Sequence, residues 1–138
     1  MPGKYLQVAE LYGQKLLAKM GENGNIPSEH DEAPCGPHLV DTIYTINWAL
    51  LGLLGLKHFN EAYAEPFRRA LDLVCRIQDT SPEPWLKGCW RGMYDMEKGT
   101  WGGGDCYEGG AGSIYTGWTN APVAIVIALE LLGEKLFR

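Results

Sequence analysis

Two carboxylates, Asp105 and Glu108, stand three residues apart in the run Thr100–Asn120. That run also holds seven glycines, two tryptophans and two tyrosines. Carboxyl groups accept hydrogen bonds and carry protons, so a pair of them is equipped for general acid–base work. The aromatic rings of Trp101, Tyr107, Tyr115 and Trp118 offer flat apolar faces with polar edges. Glycine lets a backbone turn tightly and come close to a bound molecule. A ligand with apolar C–H faces and a rim of hydroxyls, such as a sugar ring, matches that combination. Asp105 and Glu108 are the candidate catalytic pair, with Asp41 and Asp95 in reserve. Trp48, Trp90, Trp101, Tyr107, Tyr115 and Trp118 are the candidate substrate platforms, and Tyr44 belongs with them.

Other chemistries find less support. The glycine-rich run precedes a helix, as phosphate loops do, but no G-x-x-x-x-G-K-[ST] or G-x-G-x-x-G is present. Ser113 lacks a G-x-S-x-G setting, and His58 lies far from it in sequence. Cys35, Cys75, Cys89 and Cys106 form no C-x-x-C pair and no zinc spacing. Cys75 is expected as a small core residue on a helix stripe, and Cys89 with Cys106 is a candidate disulfide. His30 and His38 near Cys35 are best read as loop residues, so no metal and no cofactor is expected.

Elements must position these groups, and 138 residues allow one domain with a real core. A net charge of -5 excludes a basic nucleic-acid footprint. The longest apolar runs, Trp48–Leu56 and Ala121–Leu129, fall well short of a membrane span, and Met1–Leu6 has no signal-peptide core. A soluble chain is expected, its compartment open.

Residues 4–20 read as an amphipathic helix, with Tyr5, Val8, Ala9, Tyr12, Leu16 and Met20 on its inner face. An irregular loop follows, and Asp41 and Thr42 are suited to cap the next helix, Ile43 to about His58. That helix is apolar nearly all round, which marks it as central, and Gly52 and Gly55 leave one side free for a close neighbour. Asn60 caps a third helix to about Gln78, with Tyr63, Phe67, Ala70, Leu71, Val74 and Ile77 as its stripe. The residues around Glu97-Lys98-Gly99 predict a short β-hairpin. A last helix runs from Asn120 or Ala121 to Leu136, with Pro122 in its first turn.

The order repeats: amphipathic helix, loop, apolar helix, twice over. Ile43-Tyr44-Thr45 recurs as Ile114-Tyr115-Thr116, 71 residues on, and Asn47-Trp48 is echoed by Trp118 and Asn120. This duplicated pattern divides the chain into hairpin units at 4–58 and 59–138.

With its aromatic loop Trp90…Tyr94…Trp101 and the run Tyr107-Glu108-Gly109-Gly110, it resembles the α/α-toroid of the six-hairpin glycosidase superfamily. The resemblance implies an all-α fold of two helical hairpins in a toroid-like arrangement, with a small β-hairpin in the last long loop. It further implies a sugar-lined cleft at the loops leading into the inner helices, and an oligosaccharide or polysaccharide as partner. A full toroid has six hairpins, so the chain is expected to be a piece of a larger toroid or to complete its core as a homo-oligomer. Glycoside hydrolysis is the function the resemblance implies. A non-catalytic sugar-binding or structural interaction module is the alternative.

Overall fold

A computed structural model describes residues 2–28, 36–102, 114 and 116–135. Its order is helix α1 (Pro2–Lys19), strand β1 (Leu39–Asp41), helix α2 (Ile46–Leu56), helix α3 (Ala64–Arg76), strands β2 (Met93–Asp95) and β3 (Thr100–Trp101), and helix α4 (Ala121–Leu132). The fold is thus mostly helical, with one three-stranded antiparallel sheet in the order β1-β2-β3.

The central helix lies where it is expected but begins at Ile46, not Ile43, and its N-cap residue is Thr45, not Asp41 or Thr42. Asp41 prepares it: its carboxylate accepts from the amides of Ile43 (2.9 Å) and Tyr44 (3.0 Å) and from the Thr45 hydroxyl (3.2 Å). These bonds pair the polar groups of the turn at residues 42–45, which leads into the helix at Ile46. Ile46, Asn47, Ala49, Leu50, Leu53, Leu54 and Leu56 of α2 are buried.

Asn60 caps as expected, accepting from Ala62 (3.0 Å), but the turn it opens is a 3-10 segment, Glu61–Tyr63, that leads into α3. The stripe of α3 buries Tyr63, Phe67, Ala70, Val74 and Ile77, and adds Leu73. Cys75 corrects an expectation. It is exposed, because one residue beyond Val74 turns a helical side chain about 100° off the buried line.

Helix α1 corrects another. Tyr5, Val8, Leu11 and Tyr12 lie exposed, and the face turned inward runs along Leu6, Glu10, Gly13, Leu17 and Met20. Gly13 decides this. A Cβ there would stand 2.5 Å from Leu56 Cδ1 and 2.7 Å from Tyr63 Cε1, so the missing side chain is what lets α1 close on α2. Both faces have helical spacing, and close packing selected the one with the glycine.

The hairpin forms where the sequence predicts it. Tyr94 pairs with Trp101 and Asp95 with Thr100, and Gly99 takes the left-handed conformation (φ 65°) that closes the turn. Strand β1 was not expected. It pairs with β2 in the register Leu39↔Asp95, Val40↔Tyr94 and Asp41↔Met93, which brings the turn before α2 onto the sheet.

Helix α4 ends at Leu132, short of Leu136, because Gly133 adopts a left-handed C-cap (φ 65°) with its amide bonded back to Glu130. Helices α2 and α4 lie side by side and parallel. Asn47 reaches the Trp118 carbonyl at their N-terminal ends, and Lys57 ion-pairs with Glu130 at their C-terminal ends. One apolar cluster joins Leu50, Leu53 and Leu54 of α2, Phe67 and Val74 of α3, Trp90, and Val123 and Val126 of α4. Among the described residues no helix is long and apolar enough to cross a membrane.

Candidate functional site

Parallel helices place their leading turns at one end, and aromatic residues gather there. Tyr44 and Trp118 face each other with ring centroids 6.3 Å apart and planes inclined at 58°. Trp48 sits one turn beyond Tyr44, and Tyr12 approaches from α1. An open groove is lined by Tyr12, Lys15, Leu16, Lys19, Tyr44, Thr45, Trp48 and Ala49. About half of the surface of Tyr44 (50%), Trp48 (53%) and Trp118 (53%) stays open to solvent. Exposed aromatics gathered at one place form an apolar patch of the kind that marks a binding surface.

The backbone beneath them is held firmly. Asn47 is wholly buried, donates to the carbonyls of Ile43 (3.1 Å) and Trp118, and accepts from the Trp48 amide (2.8 Å). It ties the two leading turns together, and it comes from the very signature that the sequence repeats. Asp41 holds the Tyr44 amide from below. Asn120 performs a related service on the second turn, accepting from the Trp90 amide (2.9 Å) and donating to the Trp90 carbonyl (2.9 Å).

The sequence-derived candidates separate under this geometry. Trp48 and Trp118 reach the mouth. Trp90 does not: its ring is 6% exposed and its indole donates to the Val74 carbonyl at 2.7 Å, so it anchors the long loop on the core. Trp101 is half buried and packs edge-on against Tyr94 (5.1 Å, 72°), where it closes the hairpin. Asp105, Tyr107, Glu108 and Tyr115 lie outside the described residues, as do His30, Cys35 and Cys106.

The reserve carboxylates have other employment. Asp41 holds the turn that leads into α2. Asp95 is buried in the hairpin, accepting from the amides of Glu97 (3.0 Å) and Lys98 (3.1 Å) and pairing with the Lys98 ammonium (2.9 Å). The Lys98 side chain is the main cause that holds the Asp95 carboxyl below its ordinary value.

Cys89 is a free, half-buried thiol pushed up first by burial and then by Asp79. Among the described residues no group of three or more His, Cys, Asp and Glu side chains could hold a metal ion. Tyr12 is the mouth residue that sequence reasoning missed, having been assigned to the inner face of α1. Its spacing alone gave no signal, since Gly13 and not Tyr12 marks the contact.

No family model matches the chain, and no curated protein and no solved structure matches it.

Proposed function

We propose that this chain is a carbohydrate-binding unit of α/α-toroid type, built of two helical hairpins. One observation carries the reading: Tyr44, Trp48, Trp118 and Tyr12 stand exposed together where two parallel inner helices begin. Aromatic faces stack on the C–H faces of sugars, and a groove open on one side accommodates a chain of them. The parallel placement of α2 and α4 agrees with consecutive inner helices, and the resemblance to six-hairpin glycosidases gives the same ligand class.

Hydrolysis is the further part of the proposal and rests on Asp105 and Glu108. Glycoside cleavage needs an acid and a second carboxylate flanking the bond. Asp41 and Asp95 are excluded from that role by their buried structural bonds. A binding module without catalysis is the second reading, favoured by the exposed aromatics alone.

Affinity electrophoresis against a panel of soluble polysaccharides tests the reading. Retardation is expected for at least one polysaccharide. Trp48→Ala and Trp118→Ala are each expected to weaken it about fivefold, the equivalent of ~1 kcal/mol of aromatic contact. Trp85→Ala, an exposed tryptophan (71%) in the loop after α3, serves as control and leaves retardation unchanged. Binding that survives both mouth substitutions refutes the platform. Asp105→Asn with Glu108→Gln then separates the two readings: the enzyme loses hydrolysis and keeps binding.

A further inference from the structure

The two Ile-Tyr-Thr triplets lie 71 positions apart, and the same shift laid on α2 and α4 pairs residues of opposite burial. The face of α2 that meets α4 runs from Asn47 through Leu50 and Leu54 to Lys57. Its counterparts on the second unit are Trp118, Ala121, Ile125 and Ala128, and all four are exposed. The opposite comparison is just as clear. Helix α4 turns Val123 and Val126 inward, wholly buried, with Thr119 before them. Their counterparts on the first unit are Gly52, Gly55 and Trp48. Among the described residues a Cβ on either glycine would meet nothing within 4 Å, and Trp48 and Phe59 flank them in the open.

Among the described residues, one interface inside the chain therefore leaves its two halves bare at opposite sides. The α4 side is a ridge, Ala121, Ile125, Ala128 and Leu132. The α2 side is a trough, floored by Gly52 and Gly55. Neither row carries a charge, so nothing repels the one from the other.

We propose that a second copy of this chain seats its α4 ridge in the α2 glycine trough, in the same parallel relation that α2 and α4 already share. The contact is heterologous, each copy giving one face and receiving the other, so copies assemble head to tail. Continuity with the internal interface selects this occupant, because the chain itself supplies the complement of each bare face. The assembly sets every leading turn, with its aromatic mouth, at one end of the oligomer. It rests on the repeat and not on sugar binding, and the two are measured separately.

Light scattering and native mass spectrometry of the ligand-free chain provide the test. The wild type is expected at two or more times the chain mass. Gly52→Glu on the trough and Ile125→Glu on the ridge are each expected at the single-chain mass. Circular dichroism should stay unchanged, since both positions face open space. Mixing the two variants is the decisive arm: each retains the face the other lost, so a one-to-one heterodimer appears. The Gly52→Glu/Ile125→Glu double variant stays a monomer alone and in either mixture. A wild type that is monomeric at its highest soluble concentration overturns the proposal. So does either single variant that assembles like the wild type, or a mixture that stays monomeric.

Discussion

Replacing Asn47 with alanine tests the joint on which both the fold and the mouth depend. The side chain is fully buried and makes three bonds to backbone: to the Ile43 and Trp118 carbonyls and from the Trp48 amide. Each net hydrogen bond contributes ~1 kcal/mol, and a buried partner left unpaired loses ~1–3 kcal/mol. The carbonyls keep a second lone pair, so the lower figure applies to each, and the sum is about 3 kcal/mol. For a domain of this size, that lowers the Tm by about 10 °C. Urea denaturation followed by far-UV circular dichroism measures the stability change. Tryptophan emission should shift to the red at the same time, as Trp48 and Trp118 lose their fixed backbone. A loss below ~1 kcal/mol, with emission unchanged, would show that the two leading turns are held by packing alone and that Asn47 is not their tie.

Three further outcomes are expected. Gly24→Ala should lower stability by ~3 kcal/mol in urea titration, because φ is +88° there and a Cβ would lie 2.5 Å from the Arg69 carbonyl oxygen. Arg91→Met should cost ~3 kcal/mol by leaving the buried Asp79 carboxylate without its partner at 2.6 Å, and Asp79→Asn in the same chain should recover much of it. The Asp95–Lys98 pair should make the hairpin pH-dependent at both extremes. Asp95 is held below 3.8, so its contribution is complete above that value and is lost as pH falls through the lower folded value. Lys98 is raised above 10.5, so its share is complete below that value and is lost as pH rises past the higher one. Amide exchange at Gly99 across the acid range reads the first limb, and Lys98→Ala should move that midpoint upward.

The parts of the fold that were legible in sequence are those whose signals are local. Asn60 caps the turn into α3, and Asp41 holds the turn before α2, because a short acceptor side chain precedes free amides. Glu97-Lys98-Gly99 turns because glycine accepts a left-handed φ, and α2 is central because it has no polar side. What escaped the sequence depends on partners distant along the chain. Strand β1 has three residues, and its register is set by β2, some fifty residues away. The inward face of α1 was settled by the space at Gly13, which no apolar pattern encodes. At the mouth, Trp48 and Trp118 could be named from their place in a repeated signature. Trp90 has the same composition cues but becomes an anchor, since a carbonyl of α3 lies within reach of its indole.

The thin attachment of α4 has a consequence for how the chain folds. Only Pro122, Val123 and Val126 of its twelve residues are buried. Its ties to the first unit, Asn47 to Trp118 and Lys57 to Glu130, span more than seventy positions. Closing so long a loop for so little burial makes this helix a late arrival in folding and an early departure in unfolding. Amides of α4 should therefore exchange through a local opening of lower free energy than those of α2, while the α1–α2–α3 body stays closed. The chain thus has a folded body and a final helix whose docking completes the mouth.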